Sequence, residues 1–129
     1  MTSTVLAAAV ATVAAFLLGA AWYAAFGATL ARLSPAHAGD RPARARDPLL
    51  ELLRCAVLAT VVVILLRRLD PGGAAAAAGT GLLLWAGFPA VLLAGSVLHD
   101  GVPWRPAAVH AGDWLVKLVV ISLIAGLWP

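Results

Sequence analysis

Ala107-Ala108-Val109-His110-Ala111-Gly112-Asp113-Trp114-Leu115-Val116-Lys117, followed by an apolar run to Trp128, decides what kind of fold this chain can have. A helix from Trp114 through Trp128 would hold 15 residues. At ~1.5 Å per residue that is about 22 Å, too short for a hydrocarbon core of ~30 Å. A membrane-crossing helix here has to begin near Ala107, which carries Asp113 and Lys117 into the span and puts Lys117 near its middle. The spacings of three and four place His110, Asp113 and Lys117 on one helix face. Side chains lean toward the helix N-terminus, so Lys117 can reach back to Asp113, and the acid-before-base order is the favourable one.

The composition requires that span. The 129 residues are 63% hydrophobic and 12% charged, with a mean hydropathy of +0.97, whereas a soluble domain carries about 25% charged residues. Most soluble enzyme classes are thereby excluded. Four apolar segments, about 5–26, 49–69, 79–99 and 107–128, are each long enough to cross a bilayer. The expected fold is an all-α integral membrane bundle of four transmembrane helices, up-down-up-down, in one domain over 1–129. The basic connector 32–48 carries three prolines. Asp70-Pro71-Gly72-Gly73 and Asp100-Gly101-Val102-Pro103 are turn sequences. Asp47-Pro48 reads as an N-cap with proline at the first helical position, and Pro106 is placed to start the last helix in the same way.

Arg32, Arg41, Arg44, Arg46 and Arg105 fall on one side of that arrangement, against Arg67 and Arg68 on the other. The basic side is expected to be cytoplasmic, with both termini extracytoplasmic, in a plasma membrane whose anionic headgroups meet the connector. Lipid accounts for the net charge of +3 without nucleic acid. Trp22, Tyr23, Trp104 and Trp128 sit where interfacial aromatic residues belong. Met1 to Thr4 holds no basic residue, so the first apolar run is expected to be a permanent helix and not a cleaved signal. The single cysteine, Cys55, excludes an intrachain disulfide and offers no metal-site spacing.

In the second segment an apolar run from Cys55 would reach Arg67 after 12 residues, so the helix extends back through Glu51 and Arg54. Glu51, Arg54, His99, His110, Asp113 and Lys117 are then expected to form one polar cluster in the cytoplasmic half of the bundle. Two readings follow. Glu51 with Arg54 and Asp113 with Lys117 sum to zero charge and serve as register-fixing pairs, or the cluster lines a proton relay or a cytoplasm-facing vestibule. Ile121, Ile124 and Trp128 continue the same face, so a polar pathway would stop near the membrane middle. His99 and His110 have no spacing that demands a metal or haem, and no cofactor is expected. Gly87-Phe88-Pro89 predicts a kink, because Pro89 cannot donate its backbone bond to Trp85. The Ala11, Ala15, Gly19 ladder with Gly81, Gly95 and Gly112 permits close helix approach.

Two regions resemble a family of small bacterial membrane proteins known as domain of unknown function 1761. Gly19-Ala20-Ala21-Trp22-Tyr23 with Phe26-Gly27 is similar to the family's glycine, Trp-Tyr and Phe-Gly signature. Gly81 with Trp85-Ala86-Gly87-Phe88, His99-Asp100-Gly101 with Trp104, and Ala111-Gly112 leading to Gly126-Leu127-Trp128 resemble its closing helices. The Ser-Pro usual after Trp-Tyr is absent, and Ala28 stands where the family often has lysine. The resemblance implies a four-helix membrane fold and transfers no mechanism. The expected function is therefore a multi-pass, homo-oligomeric, non-enzymatic membrane protein of unknown role. The alternative is a small proton-coupled transporter or channel using Asp113 and Lys117. A membrane enzyme is the remote third reading, with only His99, His110 and Asp113 in its favour.

Overall fold

A computed structural model describes residues 1–33 and 46–129. The described residues form helices and turns, in the order α1 (Thr2–Leu33), α2 (Arg46–Leu69), α3 (Ala74–Gly87), α4 (Pro89–His99) and α5 (Trp104–Leu127). Four spans among them are long and apolar enough to cross a membrane: α1, α2, α3 with α4, and α5. Every expected segment is present and each is longer at one or both ends. Apolar length sets the minimum of a helix; its ends are set by turns and backbone bonding.

Those ends differ from the sequence reading in detail. α2 begins at Arg46, so Asp47 lies within its first turn and does not precede it. α5 begins at Trp104 after Pro103, and Pro106 is its third residue, still within the turn whose N–H groups have no intrahelical partner. The turn between α2 and α3 uses positive φ at Asp70 (44°) and Gly73 (114°), and the turn before α5 uses it at Gly101 (71°). The third span breaks at Phe88, with φ −122° and ψ −80°, and restarts with Pro89 at the first helical position. Pro89 brings no N–H to the preceding turn, which is why the ladder stops there.

α5 is the hub, packing against every other helix, while α1 also packs on α2. Small side chains allow this. Ala7, Ala11, Ala15 and Gly19, spaced by four along α1, are all buried, whereas Leu83, Leu92 and Leu98 are 74%, 71% and 76% exposed. Gly126 lies against Ala77, where an added Cβ would come within 2.5 Å of the Ala77 Cβ, and Gly81 sits 2.8 Å, on the same measure, from the Leu118 carbonyl. Gly95, expected to serve similarly, has nothing within 4 Å of the position a Cβ would take.

At one end of the bundle Ser3 donates to the Pro129 carbonyl (2.7 Å) and Arg67 Nη2 donates to Ser3 Oγ (3.2 Å). The half next to that end is dry: Ala7, Ala11, Val63, Leu66, Ile121 and Ala125 are all at 4% exposure or less. Ser122 is its polar exception, fully buried, with a hydroxyl that finds no partner among the described residues.

Candidate functional site

The opposite half, toward Arg46 and Trp104, is built differently. Asp113 and Lys117 face inward from α5 one helical turn apart, and Lys117 Nζ stands 3.0 Å from Asp113 Oδ2. It also stands 3.0 Å from Glu51 Oε1 on α2. Glu51 in turn accepts from Arg54 Nη1 at 2.8 Å through its other oxygen, and the Cys55 thiol approaches it at 3.7 Å. The two pairs expected from the sequence are thus joined by Lys117 into one alternating chain, Asp113, Lys117, Glu51, Arg54. Its charges sum to zero, and exposure rises along it, from side chains 7% and 6% accessible at Asp113 and Lys117 to 31% at Glu51 and 67% at Arg54.

Lys117 fits because Gly19 lies beside it. A Cβ on Gly19 would come within 2.9 Å of Nζ and 3.0 Å of Cε. The glycine of the α1 signature is therefore the space in which the ammonium is housed.

Two aromatic residues next to that glycine, both half-buried, also make inward polar contacts. Trp22 donates from Nε1 to the Val109 carbonyl at 3.0 Å, and its ring lies so close to Gly112 that an added Cβ would clash with it. Tyr23 Oη lies 2.7 Å from His110 Nδ1, and both side chains line one cavity with Asp113. With the proton on Nδ1, His110 donates to Tyr23; with Nδ1 bare, Tyr23 donates to it. From the other side, Trp85 Nε1 donates to the Ala111 carbonyl at 2.8 Å. α5 is thus fastened to α1, α2 and α3 by polar contacts within about three turns.

Tyr23, Glu51, Arg54, His110, Asp113 and Trp114, with Leu93 of α4, line a cavity of about 350 Å3. A second gap of about 30 Å3 lies between Glu51, Cys55, Asp113 and Lys117, room for a water molecule. Five of the six residues expected to cluster therefore do so. His99 does not: it is the last residue of α4 and is exposed, outside the lining of the polar cavity. Arg32 and Arg46 are exposed at the same end of the bundle, and Arg41 and Arg44 lie outside the described residues. Trp104 is 65% exposed with the Arg105 guanidinium over its ring at 5.4 Å. Among the described residues no three His, Cys, Asp or Glu side chains gather to hold a metal ion.

Tyr23, Cys55 and Gly19 were missed as site residues, though the register held a signal. The buried series Ala7, Ala11, Ala15, Gly19 extended by four reaches Tyr23, and Glu51, Cys55 and Ala59 follow the same step on α2.

No curated protein and no solved structure matches the chain. A family model does match, over residues 6–126, a range that contains both the Gly19 to Tyr23 signature and the whole charged chain. The protein thus belongs to the family described as proteins of unknown function (DUF1761).

Proposed function

We propose that the protein is a non-enzymatic, multi-pass protein of the cell membrane whose half-membrane cavity is a binding vestibule open to the cytoplasmic leaflet. The carrying observation is the cavity itself, about 350 Å3 and walled by Tyr23, Glu51, Arg54, His110 and Asp113. The four charges are paired among themselves, and the space beside them is left unfilled by side chains. Pockets of ~300 to 1,000 Å3 are the size that holds small ligands. The arginines support the orientation. Arg32, Arg46 and Arg105, with Arg41 and Arg44 of the connector, outnumber Arg67 and Arg68 at the other end, which favours extracytoplasmic termini and an up-down-up-down path.

The transport reading has its own support in three titratable groups, His110, Tyr23 and Asp113, that line the same cavity. The dry half beyond Lys117 argues against an open channel: a transporter would have to part Val63, Leu66 and Ile121, all at 1% exposure or less.

Accessibility to a charged thiol reagent tests the vestibule. In a Cys55→Ala background, Leu93→Cys is expected to react from the cytoplasmic side of oriented vesicles, and Ile121→Cys from neither side. No reaction of Leu93→Cys from either side would remove the vestibule. Reaction of Ile121→Cys would replace it with a pathway through the membrane.

A further inference from the structure

The polar cavity does not end at its polar wall. Leu93 and Trp114 also line an apolar crevice of about 540 Å3 that runs between α2 and α4 along Leu58, Val61, Leu65 and Leu92. The crevice adjoins the break in the third span, for both Phe88 and Pro89 form part of its wall. A long apolar slot therefore shares two side chains with a polar chamber. That is the shape of an amphiphile with its tail toward the membrane middle and its head toward the leaflet surface.

The charges select the head. The Asp113 carboxylate is 7% exposed and already paired with Lys117, and Glu51 is held between Lys117 and Arg54. Arg54 is the charge left facing outward, 67% exposed, with Nη1 engaged by Glu51. A guanidinium has five N–H donors in a fixed fork suited to a carboxylate. From this we infer that the vestibule takes a single-chain amphiphile with a carboxylate head, of the long-chain fatty-acid type. Its tail lies in the α2–α4 crevice and its head meets Arg54, with His110 and Tyr23 behind it. This rests on the vestibule proposed above and names what occupies it.

The test uses the full chain in nanodiscs of phosphatidylcholine with a diazirine-bearing palmitate as photoprobe. Adducts are expected on Val62, Leu65 and Leu118, which line the slot while turning little surface outward, competed by unlabelled palmitate but not by its uncharged alcohol. Arg54→Gln, a change at an exposed side chain, is expected to weaken competition by palmitate about tenfold, the scale of one charge-assisted hydrogen bond. Leu58→Trp, which fills the slot, is expected to abolish labelling there. Even labelling of lipid-facing residues such as Val10 and Leu17, without competition, would overturn the inference, as would equal competition by palmitate and the alcohol. Competition by phosphatidylglycerol as strong as that by palmitate would assign the site to a two-chain lipid and overturn it as well. If Leu93→Cys still reacts in those cases, the vestibule stands and its occupant is different.

Discussion

Gly19 and Lys117 show how a single missing carbon determines a buried charge. The ammonium reaches two carboxylates at 3.0 Å because α1 offers no side chain at that point. Gly19→Ala is expected to push Lys117 off Asp113 and Glu51 and to lower stability by about 1 to 3 kcal/mol, the cost of overpacking. Gly27→Ala, with nothing within 4 Å of the new Cβ, is expected to be neutral or slightly stabilising. Denaturation of both variants in detergent measures the difference. Removing the ammonium is more severe. Lys117→Met leaves Asp113 buried without its partner, a loss expected at about 3 to 5 kcal/mol. The double variant Asp113→Asn/Lys117→Met is expected to recover most of this, since Glu51 keeps Arg54 at 2.8 Å. A double variant no more stable than the single one would show that Lys117 is needed for its bond to Glu51. The stripe His110, Asp113, Lys117 was legible from spacing alone. The bond from Lys117 to Glu51 was not, because it joins residues 66 positions apart and depends on how two helices are rotated against each other.

At the scale of elements, length and hydropathy were enough to find all four spans, and Pro89 was enough to locate the break. The packing order was not legible: hairpin connections suggest neighbours in sequence, yet α5 touches every helix and α1 is the other partner of α2. The reason is that apolar stripes on all four spans look alike, whereas close approach is decided by where small residues fall on each face. α5 carries the lowest span hydropathy of the four, 1.7 against 2.5 for α2. With Asp and Lys at roughly 2.5 to 3.5 kcal/mol each near a helix centre, α5 presented alone to a translocon is expected to insert in a minority of molecules. Lys117→Leu is expected to make insertion the majority outcome. Glycosylation mapping in microsomes reads both, and full insertion of the unaltered helix would show that its charges do not depend on the bundle.

The whole molecule is asymmetric along its length, with a dry core at the end where Ser3, Arg67 and Pro129 meet and a polar, open half at the end of Arg46 and Trp104. If the polar half faces the cytoplasm, Ala43→Cys is expected to be labelled by an impermeant maleimide only after the membrane is opened, and Thr2→Cys before. Cys55, 2% exposed, is expected to stay unlabelled in both. Labelling of Ala43→Cys from outside would invert the protein.

The position of α5 in the chain also has a consequence in time. The helix that holds all the others is synthesised after them, and α1 with α2 on one side and α3 with α4 on the other make no extensive contact without it. Until α5 arrives, Glu51 has Arg54 as its one oppositely charged neighbour among the described residues, and the groove that Lys117 will fill beside Gly19 is open. Assembly therefore ends with a pairing of charges, and a nascent chain interrupted before Trp104 would present an unfinished acid in its second helix, a chemical mark by which incomplete copies differ from complete ones.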